Sequence, residues 1–164
     1  MKVQKITPCL WFDDQAEEAI AFYTGLFENS RITQVSRYSE AGQEIHGKRP
    51  GAVMSIAFEL NGQSFTAING GPIFKFNEAV SFQVNCASQK EVDYFWEKLS
   101  EGGDPKAQQC GWLKDRYGVS WQVVPTMLPA MLTDPDPAKA RRATEAMMGM
   151  KKLDIAALER AHAG

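Results

Sequence analysis

Thr7-Pro8-Cys9-Leu10-Trp11-Phe12-Asp13-Asp14-Gln15-Ala16-Glu17-Glu18-Ala19-Ile20 passes from strand formers to an amphipathic helix within a few residues. Lys2 to Phe12 reads as a strand. Asp14, with Glu17 three positions on, has the spacing of a capping box, which satisfies two orphan backbone donors at a helix start. Ala16, Ala19, Ile20, Tyr23, Leu26 and Phe27 then form an apolar stripe at helical spacing, predicting a helix over Gln15–Phe27. The pattern returns later in the chain. Val80 to Val84 reads as a strand, Ser88 and Glu91 as a second box, and Val92, Phe95, Trp96 and Leu99 as a second stripe, stopped by Gly102-Gly103. Each strand–helix pair is followed by more strands, so the chain is an internal duplication of a strand–helix–strands unit.

Between the two copies, Arg31–Tyr38, Ala52–Leu60 and Gln63–Asn69 are predicted strands, the last two joined at the hairpin signal Asn61-Gly62. Ser39–Gly51 is a polar loop, and Gly70-Gly71-Pro72 breaks the chain before an irregular connector, Ile73–Glu78. The second copy is shorter, with strand material at Ala107–Leu113 and Val119–Val124 around the turn Lys114-Asp115-Arg116-Tyr117-Gly118. Lys114 and Arg116 read there as members of exposed charge pairs. Beyond Pro125, Asp136 and Pro137 open a helix running to about Met150, and Asp154 caps a last one over Ile155–Ala161. Met131, Met147, Met148 and Met150 lie in this tail, where flexible thioethers fill irregular contacts. The expected organisation is a domain over 1–126, with halves at about 3–70 and 79–125, and a helical extension over 127–164.

The chain has 164 residues, 44% of them hydrophobic, which suits one domain that needs no disulfide or metal staple. Eighteen basic against 20 acidic side chains give no global attraction to nucleic acid or an anionic membrane. No apolar run reaches the roughly 20 residues of a membrane span, and the N-terminus lacks a signal-peptide pattern. Cys9, Cys86 and Cys110 are odd in number and widely spaced, arguing for free thiols and a cytoplasmic setting.

Two strand–helix–strands copies resemble the vicinal oxygen chelate superfamily, which includes glyoxalase I, bleomycin-resistance proteins and extradiol dioxygenases. Thr7-Pro8-Cys9-Leu10-Trp11-Phe12, Ala16-Glu17-Glu18-Ala19 with Phe22-Tyr23, Asn69-Gly70-Gly71-Pro72, Gly111-Trp112-Leu113-Lys114-Asp115 and Trp121-Gln122 are similar to its PhnB-like family. Members of that family often carry the name 3-demethylubiquinone-9 3-methyltransferase, and the tail Asp134-Pro135-Asp136-Pro137 fits one of its branches. The resemblance implies an α+β fold of duplicated βαβββ units forming a cupped mixed sheet around a cavity, with a C-terminal helical extension, in a homodimer.

Metal-using relatives place His and Glu ligands on cavity-facing strands, leaving open positions for bidentate oxygen substrates. By resemblance those positions fall near Thr7, Thr66, Ala79 and Gln122, none of them a histidine or a carboxylate. Glu78 adjoins the third, but strand alternation turns it away. His46, in the polar loop, and His162, near the C-terminus, are the only histidines. No metal and no other cofactor is therefore expected. The methyltransferase name finds no glycine-rich loop opening a helix for a nucleotide-like cofactor, since Asn69-Gly70-Gly71-Pro72 reads as a tight turn.

If Thr7 marks the cavity side, strand alternation adds Cys9 and Trp11 from the first strand, Ser64, Thr66 and Ile68 from the middle of the chain, and Ser120, Gln122 and Val124 from the last. The candidate pocket is thus Thr7, Cys9, Trp11, Ser64, Thr66, Ile68, Ser120 and Gln122, with apolar walls and neutral polar groups, suited to an apolar or aromatic small molecule. Cys110 has no histidine near it in sequence to serve as base and reads as structural. The leading expectation is a metal-independent small-molecule-binding protein. The alternatives are an enzyme acting on an aromatic or quinone-like substrate and a metal-dependent lyase or dioxygenase.

Overall fold

The computed structural model describes residues 4–164, so the start of the predicted strand at Lys2 and the start of the first half at about residue 3 lie outside the described residues. Two compact units divide the chain, the first ending at Phe76 and the second spanning Asn77–Gly164. Each carries a small mixed sheet and helices, an α+β architecture.

The first unit contains β1 (Cys9–Phe12), α1 (Ala16–Leu26), β2 (Arg31–Arg37), α2 (Gln43–His46), β3 (Val53–Leu60) and β4 (Gln63–Asn69). Its sheet runs β1-β4-β3-β2, with β1 parallel to β4 and the other pairs antiparallel. The two-residue period decides what is buried. Leu10 and Phe12 on β1, Val53, Ile56, Phe58 and Leu60 on β3, and Ala67 on β4 are buried, and α1 packs its Ala16, Ala19, Ile20 and Tyr23 stripe against this sheet. Burying each large side chain contributes about 1.5–3 kcal/mol. The β3–β4 hairpin turns at Asn61 and Gly62, both with positive φ, as its two-residue signal predicts. The polar loop is not wholly irregular, because α2 occupies four of its residues.

One predicted detail is corrected. The Asp14–Glu17 box does not form: Gln15 is the N-cap residue, and no side chain of the local sequence caps α1. Instead Asn69, at the end of β4, accepts from the Ala16 amide at 2.8 Å. A group 53 residues away supplies the cap, so local spacing could not reveal it.

The second unit contains β5 (Ser81–Cys86), α3 (Gln89–Ser100), β6 (Trp112–Lys114), β7 (Ser120–Pro125), α4 (Leu128–Leu132), α5 (Pro137–Met148) and α6 (Ile155–Ala163). Its sheet order, β5-β7-β6, repeats the β1-β4-β3 part of the first: β5 is parallel to β7 and β6 antiparallel to it. Ser88 caps α3 as predicted, its Oγ accepting from the Glu91 amide at 3.3 Å, while Glu91 Oε2 reaches back one residue beyond the cap to accept from the Ala87 amide at 2.6 Å. Asp136 and Asp154 also cap their helices as predicted.

The second repeat is βαββ rather than βαβββ. Where Ala107–Leu113 was expected to be strand, Pro105–Ala107 forms a single 3₁₀ turn, Gln109 and Trp112 make an isolated bridge, and pairing starts only at Trp112. Pro105 removes a backbone donor, and Asp104 caps the turn through the Lys106 amide at 2.9 Å. The helical tail belongs to this unit. Leu128, Leu153 and Leu158 form a core of their own, with Met131, Leu132, Met147 and Met150 packed around it.

The turn after β6 carries the expected charge pairs, and it also buries the acidic residue between them. Asp115 is buried, 3% exposed, and its carboxylate accepts from the amides of Tyr117 and Val119 at 2.8 and 3.0 Å and from Trp121 Nε1 at 2.9 Å. Lys114 pairs with Glu78, and Arg116 with Glu101. A carboxylate that accepts several N–H groups is a turn organiser, and its burial follows from that satisfaction.

Candidate ligand-binding site

In the first unit, the sheet face opposite the buried apolar set carries the predicted residues. Cys9 pairs in register with Thr66, Trp11 with Ile68, and Ser64 with Glu59 on β3, so these side chains share one face. Ser64, Thr66, Ile68 and Trp11 are half-buried and Cys9 is exposed. Thr7 lies two residues before β1, exposed. The same face continues through Ser55 and Ser36, whose hydroxyls meet at 2.6 Å.

Trp11 is held in place by the glycine turn. Its Nε1 donates to the Gly71 carbonyl at 2.9 Å, and its ring meets Phe74 edge-on at 5.0 Å between centroids. A Cβ on Gly70 would fall 2.1 Å from the indole, so only glycine admits the ring there. The Asn69-Gly70-Gly71 run thus holds Trp11 through Gly70 and Gly71 and caps α1 through Asn69.

In the second unit, Gln122 occupies the centre of the corresponding face. Its Nε2 donates to Ser81 Oγ at 2.8 Å, and its Oε1 accepts from Gln83 Nε2 at 3.3 Å. Trp112 stands opposite Gln122 on β6, and Val124 follows two residues along β7. These side chains, with Gln83 and Asn85, form one side of a groove of about 690 Å³, and Leu128, Pro129, Leu132, Thr133, Met147 and Met148 of the tail contribute the rest with Gln109 and Cys110. The sequence brought Gln122 and Val124 into view. Trp112, Gln83, Cys110 and the tail residues were missed as lining, although β6 alternation about Trp112 was a usable signal.

Ser120 is placed differently from its neighbours on the strand. It is 1% exposed, with its hydroxyl 3.5 Å from the Asn77 carbonyl, and it does not line the groove. Near it, the Lys114 ammonium hydrogen-bonds Glu78 and holds that carboxyl below its ordinary range. The Glu78 side chain is therefore engaged by a cation rather than by neighbouring donors of a metal shell. Among the described residues, no three His, Cys, Asp or Glu side chains gather as a metal centre requires. This donor set does not fit the divalent metal of the wider superfamily.

Comparison with known folds places this architecture. The structure is similar to a protein from Pseudomonas aeruginosa at 19% identity and TM-score 0.56, over 75% of this chain and 98% of that one. It is also similar to the fosfomycin resistance protein FosX of Listeria monocytogenes at 15% identity and TM-score 0.51, over 81% and 99%. Two mixed sheets of repeated topology, each with one helix-covered face, define a protein of the vicinal oxygen chelate fold. Within that class the chain belongs to the 3-demethylubiquinone-9 3-methyltransferase family, whose model matches residues 4–124. The PhnB protein of Bacillus cereus, which bears the same methyltransferase name, is 40% identical over 74% of this chain and 99% of its own, with TM-score 0.63. A comparison with curated proteins gives no match.

Proposed function

We propose that this PhnB-like protein binds a small, neutral, partly apolar organic molecule without using a divalent metal. The observation that carries the reading is Gln122. A neutral amide, tied to Ser81 and Gln83, stands where the superfamily resemblance puts an anionic ligand, and Trp112, Val124 and the tail supply apolar walls around it. Such a surface offers orientation through hydrogen bonds and affinity through apolar burial. The open face of the first unit, with Cys9, Trp11, Ser64, Thr66 and Ile68, and with Thr7 beside it, has the same chemistry and is proposed as a ligand-contacting surface of that unit in its own right. Homodimerisation and a cytoplasmic setting belong to the same proposal, supported by the family pattern and by three free cysteines.

The test is metal analysis of protein purified without chelator, with mass spectrometry of copurified small molecules. The expected result is substoichiometric metal together with an organic molecule that survives chelator dialysis and is lost in Gln122→Leu. Stoichiometric divalent metal whose removal releases the ligand would overturn the reading. A second reading, favoured by the family name and by the Trp112 wall, is an enzyme acting on an aromatic or quinone-like substrate. It requires turnover with a bound cofactor, and the absence of saturable cofactor binding counts against it.

A further inference from the structure

We propose that Cys110 and Met148 form a two-sulfur site for a soft monovalent ion, Cu(I). Cys110 Sγ lies 3.8 Å from Met148 Sδ, close enough for one ion to bridge them. The Gln109 amide holds the pair side by side, its Nε2 lying 3.3 Å from Cys110 Sγ and donating to the Met148 carbonyl at 3.0 Å. The backbone is committed to the same arrangement. Cys110 has φ 50°, a left-handed conformation uncommon for a residue other than glycine, and it is fixed by Cys110 N donating to Met150 O and Gly111 N to Lys151 O, each at 2.8 Å. Met148 is 58% exposed, and the Cys110 thiol points at its sulfur and at its carbonyl, 3.7 Å away.

Donor chemistry selects the ion. Thiolate and thioether sulfurs are soft and favour Cu(I), whereas magnesium, calcium and manganese prefer oxygen and zinc takes a fuller shell of thiolate, imidazole or carboxylate. The absence of a three-member His, Cys, Asp and Glu group among the described residues removes that fuller shell. Met147 lines the same groove, placing a further thioether in the neighbourhood. On binding, the Cys110 thiol releases its proton to solvent and forms a sulfur–copper bond, while Met148 Sδ donates a lone pair. No oxidation state changes. Cys110 and Met148 line the groove assigned above to the organic ligand, but the sulfur coordination does not depend on whether that ligand binds, so failure of one proposal is distinguishable from failure of the other.

The experiment uses the full chain, reduced and free of oxygen, in a Cys9→Ser background that removes the exposed thiol of the first unit. Cu(I) is titrated against a colorimetric chelator, and X-ray absorption reads the sulfur neighbours. The expected result is one equivalent bound with two sulfur neighbours. Met148→Leu is expected to weaken binding by about 10- to 100-fold and to leave one sulfur neighbour, and Cys110→Ser to abolish the site. The proposal is overturned if Met148→Leu binds as tightly as its parent, or if stoichiometric binding persists in Cys110→Ser. Since Met148 is exposed, its leucine variant keeps the test decisive even where the cysteine variant folds poorly.

Discussion

The Asn69 side chain ties the end of β4 to the start of α1 and to β3. Its Oδ1 accepts from Ala16 N at 2.8 Å and its Nδ2 donates to the Val53 carbonyl at 3.2 Å, both buried. Asn69→Ala removes the cap and leaves a buried donor and acceptor unpaired, for an expected loss of about 2–4 kcal/mol in chemical denaturation. A loss below about 0.5 kcal/mol, the range of an ordinary surface change, would contradict that role. Cys86 illustrates burial acting on a titratable group. Desolvation, with Glu91's charge adding to it, pushes the thiol from its usual value of 9.0 up to about 12. The folded state therefore holds this proton more tightly than the unfolded chain does. That contribution is complete below pH 9 and is lost between pH 9 and about 12, by up to about 1.4 kcal/mol per pH unit. Alkylation of native protein at pH 8.5 is expected to modify exposed Cys9 and spare Cys86 until denaturant is added. Modification of Cys86 without unfolding would refute the burial argument.

At the scale of elements, legibility followed the range of the interaction. Alternation in β3 and β4, the Asn61-Gly62 hairpin and the caps at Ser88, Asp136 and Asp154 depend on residues a few positions apart, and the structure contains each of them. The Asp14–Glu17 box failed because Asn69 reaches Ala16 from a distant strand. The burial of Asp115 was not legible, because an acidic residue between two cations gives no sign in sequence of the turn amides and the Trp121 indole that donate to it. The tail's share of the groove in the second unit was hidden for the same reason, since Leu128, Leu132, Met147 and Met148 come to line it beside Trp112 and Gln122 only through tertiary packing. Asp134 makes the tail's pH response testable. The Asp136 amide, and then His162 at 2.9 Å, hold its carboxyl below the ordinary range. Its contribution is present above the ordinary carboxylate pKa, and falling pH removes it as the carboxyl protonates in the fold. Asp134→Asn lacks this titration, so its melting temperature is expected to fall less than the wild-type's between pH 7 and pH 3. Parallel acid limbs in the two proteins would show that the carboxylate adds nothing.

For the whole molecule, the fold defines a family while the chemistry depends on which side chains its open faces carry. Gln122, Gln83 and Ser81 on one face, and Thr66, Ser64 and Cys9 on another, are the neutral side chains on which the proposed ligand reading rests. The helical tail is integral to this arrangement, because Leu153 and Leu158 are fully buried against Leu128, just beyond β7. Gln89 on α3 fastens the same segment, its amide donating to the Leu153 carbonyl at 3.1 Å and accepting from Ile155 N at 2.8 Å, and Lys152 pairs with Asp93 at 2.7 Å. Deleting the residues after Asp134 removes both leucines and leaves Leu128 and Val124 uncovered. Loss of each buried leucine costs about 2–5 kcal/mol, which for a domain of this size lowers the melting temperature by about 10 °C or more. Calorimetry of the deletion protein measures that shift, and sedimentation of the same sample reads whether a dimer dissociates with it. An unchanged melting temperature and an unchanged mass would mean that the tail neither completes the core of the second unit nor holds subunits together.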